Sequence, residues 1–207
     1  MDELKPFFRS RTKANLVMVI SCVAVFIVLS MMGNTENPAF MLNHGACFYP
    51  LIAQGQYYRL FTAMFLHFGI VHLLYNMLAL LFLGDSLEHH VGPVIYLMIY
   101  MTGGLFGNVL TCLWESHTGE YAVSAGASGA IFSVIGANLA IALVNRDRIS
   151  RTYLRRLTVI TILMIAQGFT EQGTNAVAHL GGCMAGFVLG LAAAAAIRKR
   201  RTGRIEE

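Results

Sequence analysis

An all-α, polytopic membrane protein built as a bundle of six transmembrane helices is what this sequence predicts, and three observations carry the prediction. Of its 207 residues, 56% are hydrophobic and only 13% charged, with a mean hydropathy of +0.60; a soluble domain is about half apolar and about a quarter charged. Six apolar runs reach, or nearly reach, the length of about 20 residues that a helix needs to cross the hydrocarbon core. The basic residues gather in clusters that six spans bring to one side of the membrane.

The runs cover 16–32, 60–83, 94–114, 125–144, 157–169 and 176–197. The first follows a basic N-terminus, as the core of a signal peptide would, yet it is 17 residues long and no small-residue cleavage site follows it. It reads as a retained span. The fifth is only 13 residues, which Tyr153-Leu154 before it and the uncharged Thr170 after it extend. Continuous runs without period-two alternation exclude a barrel, so helices must satisfy the backbone in lipid. The longest connection, 33–59, contains Phe40, Phe48, Tyr49, Tyr57, Tyr58 and two prolines, and so many aromatics predict a loop lying in the membrane interface. No hydrophilic stretch is long enough to fold separately, which leaves one six-span domain at 14–197 between a basic N-terminus, 1–13, and a basic tail, 198–207.

Apart from Arg59, every Lys and Arg falls in one of three clusters: before the first span, between the fourth and fifth (Arg146 to Arg156), and after the sixth. Six spans put all three on the cytoplasmic side, with both termini, as for a protein of the plasma (inner) membrane. The opposite loops carry Glu36, Glu115, Glu120 and Glu171. The net charge of +4 therefore reads as topology signals that also touch anionic headgroups, not as a nucleic-acid surface. Cys22, Cys112 and Cys183 sit in apolar runs as small core hydrophobes, while Cys47 lies in a loop with no evident partner; their spacing matches neither a metal nor a redox motif. No metal or organic cofactor is indicated.

The candidate chemistry lies at the beginnings of the even-numbered spans, which share one level near the outer face. The fourth opens with Gly126-Ala127-Ser128-Gly129, and the sixth with Ala178-His179-Leu180-Gly181-Gly182. In the second, His72 and Asn76 are four apart and share a helical face. Each alone would serve as hydrogen-bonding glue between helices, but polar side chains converging at one depth indicate a site. Gly129, Ser133, Gly136 and Ala140 form one bare stripe and Gly182, Gly186 and Gly190 another; facing stripes would bring Ser128 to His179. Serine is a poor nucleophile unless a neighbouring base takes its proton. None of the eleven acidic residues lies within an apolar run, so the pattern predicts a Ser-His dyad without a carboxylate. The developing oxyanion would find donors in the Ser128 backbone N–H and the side chains of His72 and Asn76.

These motifs resemble the rhomboid family of intramembrane serine proteases, and the resemblance runs from the first span to the sixth. Gly126-Ala127-Ser128-Gly129 matches its nucleophile motif, Ala178-His179 with Gly182 and Gly186 its histidine helix, and His72-x-x-x-Asn76 its second-span motif. His67 falls where the family often has a histidine; Tyr58-Arg59 stands for its Trp-Arg pair. Phe132 occupies a position often filled by a tyrosine that packs on the catalytic histidine, so ring packing would survive without a hydroxyl. The resemblance implies the compact six-span bacterial form, single-span membrane proteins as substrates, and cleavage near the outer face in segments that unwind easily. It also implies that the fifth span and the loop after Gly168 act as gate and lid.

Other classes fit less well. A metalloprotease needs His-Glu-x-x-His, and Glu88-His89-His90 has the wrong order; an aspartyl type needs two intramembrane aspartates, and Asp85 is alone at a span end. A transporter would show paired repeats and polar residues through the full depth. The alternative is a non-catalytic rhomboid-like protein that binds membrane-protein clients; such proteins have lost the serine or the histidine, and both are present here.

Overall fold

The computed structural model describes residues 12–145 and 175–203, together with Arg155. In chain order the helices are α1 (Lys13–Met32), α2 (Pro38–Asn43), α3 (Tyr49–Ala53), α4 (Arg59–Thr62), α5 (Gly69–Val91), α6 (Pro93–Thr118), α7 (Ser128–Val144) and α8 (Ala176–Gly203). Among them α1, α5, α6 and residues Ala176–Arg198 of α8 are long and apolar enough to cross a bilayer, and α7 is a shorter apolar helix. The protein is an integral membrane protein, a polytopic helical bundle. The predicted fifth span, 157–169, lies outside the described residues, as do the loop after Gly168 and most of the basic clusters.

At the centre stands α7, whose residues 129–138 are buried without interruption, as expected of a helix that is apolar all round. It is held against α8 by the two small-residue stripes. A Cβ added at Gly182 would meet the Gly129 carbonyl, one at Gly186 the Ser133 carbonyl, and one at Gly190 the Ala137 Cα at 2.6 Å. From the other helix, a Cβ at Gly136 would meet the Cys183 carbonyl. Only bare backbone allows this approach, and in lipid such packing replaces the missing hydrophobic drive. The outward faces of α1 and α8, with Ile20, Val28, Met184 and Val188, remain exposed for lipid.

One predicted span differs in extent. The second apolar run begins at residue 60, but the structure divides it: Arg59–Thr62 and a 3₁₀ turn, Ala63–Phe65, precede a break in which Leu66 and Phe68 are extended. Gly69 restarts the helix with φ +73°, a left-handed conformation that glycine adopts without strain. At the other end α5 runs past its apolar stretch because its acids have partners. The Asp85 carboxylate accepts from the Thr12 N–H (2.9 Å) and hydroxyl (3.0 Å), and Glu88 accepts from the Ala14 and Asn15 N–H groups at 3.1 and 2.6 Å. Those N–H groups belong to the first turn of α1, where helix geometry leaves donors unpaired and favours negative charge.

Within α5 a wider π-helical turn, Leu80–Gly84, turns its carbonyls to neighbours. Asn15 Nδ2 donates to the Leu80 carbonyl (2.8 Å) and Asn138 Nδ2 to that of Leu83 (3.0 Å). The Tyr96 hydroxyl of α6 completes the cluster by donating to Asn15 Oδ1 at 2.7 Å. Polar side chains thus tie α1, α5, α6 and α7 together at the end of the bundle opposite Ser128.

Gly186→Ala should lower stability by about 1–3 kcal/mol, the usual cost of overpacking, seen as a reduced unfolding midpoint in detergent. Val188→Ala, at a side chain 64% exposed, should stay within about 0.5 kcal/mol. Equal effects at the two positions would refute the stripe as the helix contact.

Candidate active site

The segment before α7 crosses the bundle as irregular backbone, yet its polar groups have partners. Ser124 pairs with Cys47 in both directions, N–H to carbonyl, at 2.8 and 2.9 Å. The Gly126 N–H donates to the Ala63 carbonyl at 2.9 Å, and the Ala127 N–H to His67 Nε2 at 3.4 Å. Gly126 has φ +143°, and a Cβ there would meet His72 Cε1 at 2.8 Å and Nε2 at 3.0 Å. Both conformation and space therefore require glycine. Three anchors fix the loop, and Ser128 enters as the first residue of α7.

His179 lies in the first turn of α8. Asn175 caps that helix: its Oδ1 accepts from the Ala178 N–H (2.9 Å) and from the Thr111 hydroxyl of α6 (3.0 Å), which fixes the helix start against α6. Across the glycine-lined contact, His179 Nε2 lies 2.9 Å from Ser128 Oγ. The Phe132 ring stacks on the imidazole, centroids 4.3 Å apart and planes 20° apart. His179 is 7% exposed, and its Nδ1 has no partner among the described residues. No carboxylate orients it there.

Beside this pair, His72 closes over Gly126, and His67 packs edge-on against His72 at 5.3 Å. Asn76, one turn further, is 6% exposed, and its Nδ2 is buried without a partner among the described residues. The backbone N–H groups of the first turn of α7 have no intrahelical acceptor. A hydroxyl against an imidazole, an uncommitted amide donor and a helix N-terminus are the parts that an acyl-transfer centre needs. Among the described residues no group of three or more His, Cys, Asp or Glu is placed to hold a metal ion.

The site is recessed. A Cβ at Gly107 of α6 would meet the Ala178 carbonyl at 2.6 Å, so the His179 layer lies level with Gly107, 11 residues before α6 ends at Thr118. At 1.5 Å per residue that is about 16 Å below the end of α6.

A rhomboid domain model matches residues 54–196. The chain belongs to the rhomboid family. Rhomboid protease GluP of Bacillus subtilis (strain 168) is 37% identical over 182 residues, which are 86% of this chain and 35% of that protein. RHOMBOID-like protein 5 of Arabidopsis thaliana is 38% identical over 142 residues, 68% of this chain and 45% of that one. The putative rhomboid protease YdcA of Bacillus subtilis (strain 168) is 32% identical, with 67% of this chain aligned to 68% of it. The chain thus spans less than half the length of the first two relatives.

The structure brings together the residues that the rhomboid motifs single out. Ser128, His179, His72 and Phe132 form one group, with Gly126, Gly129, Gly182 and Gly186 as its packing surfaces, and Asn76 lies one helical turn beyond His72 on α5. Arg59 stands apart, 5% exposed: its Nη1 donates to the Leu42 and Ala46 carbonyls at 2.7 and 3.0 Å, and its Nε to Gln56 Oε1 at 2.8 Å. It folds the 33–59 loop and does not approach Ser128 through any of these bonds. Asn175 escaped the sequence reading although an asparagine immediately before an apolar run is a common cap. Cys47 has no evident partner in the sequence; in the structure Cys112 Sγ lies 4.0 Å away, because the loop folds back on α6.

Arg59→Ala should cost about 1–3 kcal/mol by orphaning two carbonyls, and faster proteolysis of the 33–59 loop should report it. Arg59→Lys should rescue only part, since one ammonium cannot reproduce the guanidinium fork. Unchanged proteolysis in Arg59→Ala would count against the assignment.

Proposed function

We propose that this rhomboid is an active intramembrane serine endopeptidase that uses a Ser128-His179 dyad. The observation that carries the reading is the 2.9 Å contact between Ser128 Oγ and His179 Nε2, with Phe132 stacked on the imidazole, inside a bundle of apolar helices. The names of the GluP and YdcA relatives agree with it.

His179 Nε2 takes the Oγ proton as Ser128 attacks the scissile carbonyl, and returns it to the leaving amine; water then repeats the sequence on the acyl-enzyme. This requires the imidazole proton on Nδ1, a face buried from competing acceptors. The tetrahedral oxygen is met by the Ser128 N–H at the positive end of α7 and by His72 and Asn76. Asn76 Nδ2, buried without a partner, supports that role: its desolvation is already complete before the charge develops. Phe132 holds the imidazole plane by stacking alone.

Substrates are single-span membrane proteins, cut close to the outer face, where a recess about 16 Å below the end of α6 admits water and a locally unwound segment. An intact helix shields its peptide bonds, so unwinding precedes attack. The Ser128 end faces the outer medium, both termini face the cytoplasm of a plasma-membrane protein, and the basic clusters meet anionic headgroups.

The test is cleavage of a single-span substrate in liposomes. Ser128→Ala and His179→Ala should each abolish cleavage while leaving the unfolding midpoint unchanged, and a fluorophosphonate should label Ser128 in the native protein only. His72→Ala and Asn76→Ala should each lower turnover by about 100- to 1,000-fold. Cleavage surviving Ser128→Ala would sink the dyad, and a native protein that captures substrates without cutting them would make it a client-binding rhomboid.

A further inference from the structure

Two thiols on different elements meet away from the Ser128-His179 pair. Cys47, in the loop between α2 and α3, and Cys112, 65 positions later on α6, have their Sγ atoms 4.0 Å apart. They are 2% and 7% exposed and share a small cluster with Ile52 and Ala63. Each is held by its backbone, Cys47 through its two-way pairing with Ser124 and Cys112 by α6, six residues or about 9 Å before the helix ends. A disulfide has Sγ atoms about 2.05 Å apart. Side-chain rotation would have to close the remaining gap of roughly 2 Å. Cys22 and Cys183 have no such neighbour among the described residues.

We infer that Cys47 and Cys112 are a modification site, a dithiol that becomes a disulfide joining the 33–59 loop to α6. The inference rests on the proposed orientation, in which this end of the bundle faces the outer, oxidising medium. One thiolate attacks a sulfur of an external disulfide carrier and releases its first thiol; the second thiolate attacks the mixed disulfide and releases the other. The protein gains one S–S bond, and its two electrons and two protons leave with the carrier as two thiols. The Cys112 thiol alongside, and then burial, push the Cys47 thiol above its ordinary pKa. The bond would fix the segment paired with Ser124, four residues before Ser128, against α6.

The test alkylates full-length protein from aerobically grown cells in denaturant and maps its peptides. A Cys47–Cys112 cross-linked peptide is expected, with only Cys22 and Cys183 of the four cysteines alkylated until dithiothreitol is added. Cys47→Ser should leave three alkylated and no cross-link. The oxidised protein should melt several degrees above its reduced form, a difference absent in Cys47→Ser. Purified, reduced protein treated with diamide in detergent, where orientation is irrelevant, should give the same cross-link. No cross-link there, or one to Cys22 or Cys183, overturns the pair. Orientation is read separately from Ser116→Cys, at an exposed position near the end of α6, in the Cys47→Ser background with a membrane-impermeant maleimide. Labelling from outside with the pair still reduced in cells overturns the disulfide alone. Labelling only after permeabilisation overturns the orientation and the cellular disulfide with it.

Discussion

The contact between α7 and α8 is the interaction on which the rest depends. Ser128 and His179 are 51 positions apart, and neither helix has a hydrophobic reason to seek the other in lipid. Gly182 against the Gly129 backbone, Gly186 against that of Ser133 and Gly136 against Cys183 supply the reason, since each removes a Cβ that would stand between two main chains. The spacing is rigid because it is backbone on backbone. A side-chain contact could relax by changing rotamer; this one cannot. The distance between hydroxyl and imidazole is therefore set by the helix axes rather than by the flexibility of either residue, as preorganised chemistry requires.

The two ends of the bundle treat polar groups in opposite ways. At the Asp85 end, Asn15, Glu88, Tyr96 and Asn138 meet donors and acceptors in full, including the first-turn amides of α1 and the carbonyls released by the π-helical turn. That end is fastened. At the Ser128 end, His179 Nδ1 and Asn76 Nδ2 are buried without partners among the described residues. Each such atom costs about 1–3 kcal/mol of desolvation, and a network that stays half satisfied contributes less to stability than an apolar core would. Donors held ready in a dry site lower a barrier only if charge later appears beside them, which is the reading proposed for Asn76.

Much of this was legible in the sequence, for physical reasons that also mark where legibility stopped. Glycines at every fourth position can face only one neighbour, so the stripes announced the α7–α8 contact, and the contact brought Ser128 to His179. Helical spacing likewise put His72 and Asn76 on one face. Hydropathy cannot see conformation, however, so the run from residue 60 gave no sign of the break at Leu66 to Phe68, which rests on Gly69 and its positive φ. Nor could it extend α5 through Asp85 and Glu88, whose partners lie some 73 positions away on α1. The approach of Cys47 to Cys112 depends on how the 33–59 loop folds around Arg59, a tertiary event that spacing does not encode.

The length of α7 ties these features together. Its 17 residues span about 26 Å, and the 26 residues of α6 about 39 Å, against a hydrocarbon core of about 30 Å. With its start beside Gly104 of α6, α7 leaves the chain from Gly119 to Ala127 to descend beside α6 as irregular backbone. Such a segment is tolerated at that depth only where protein satisfies its polar groups. Cys47, Ala63 and His67 do so, each from the stretch that precedes α5. The break that prevents the second apolar run from forming one long helix is thus what frees residues 47–67 to hold the serine loop. A continuous helix from residue 60 would have turned the Ala63 carbonyl and His67 to its own course and taken two of the three partners from the serine loop.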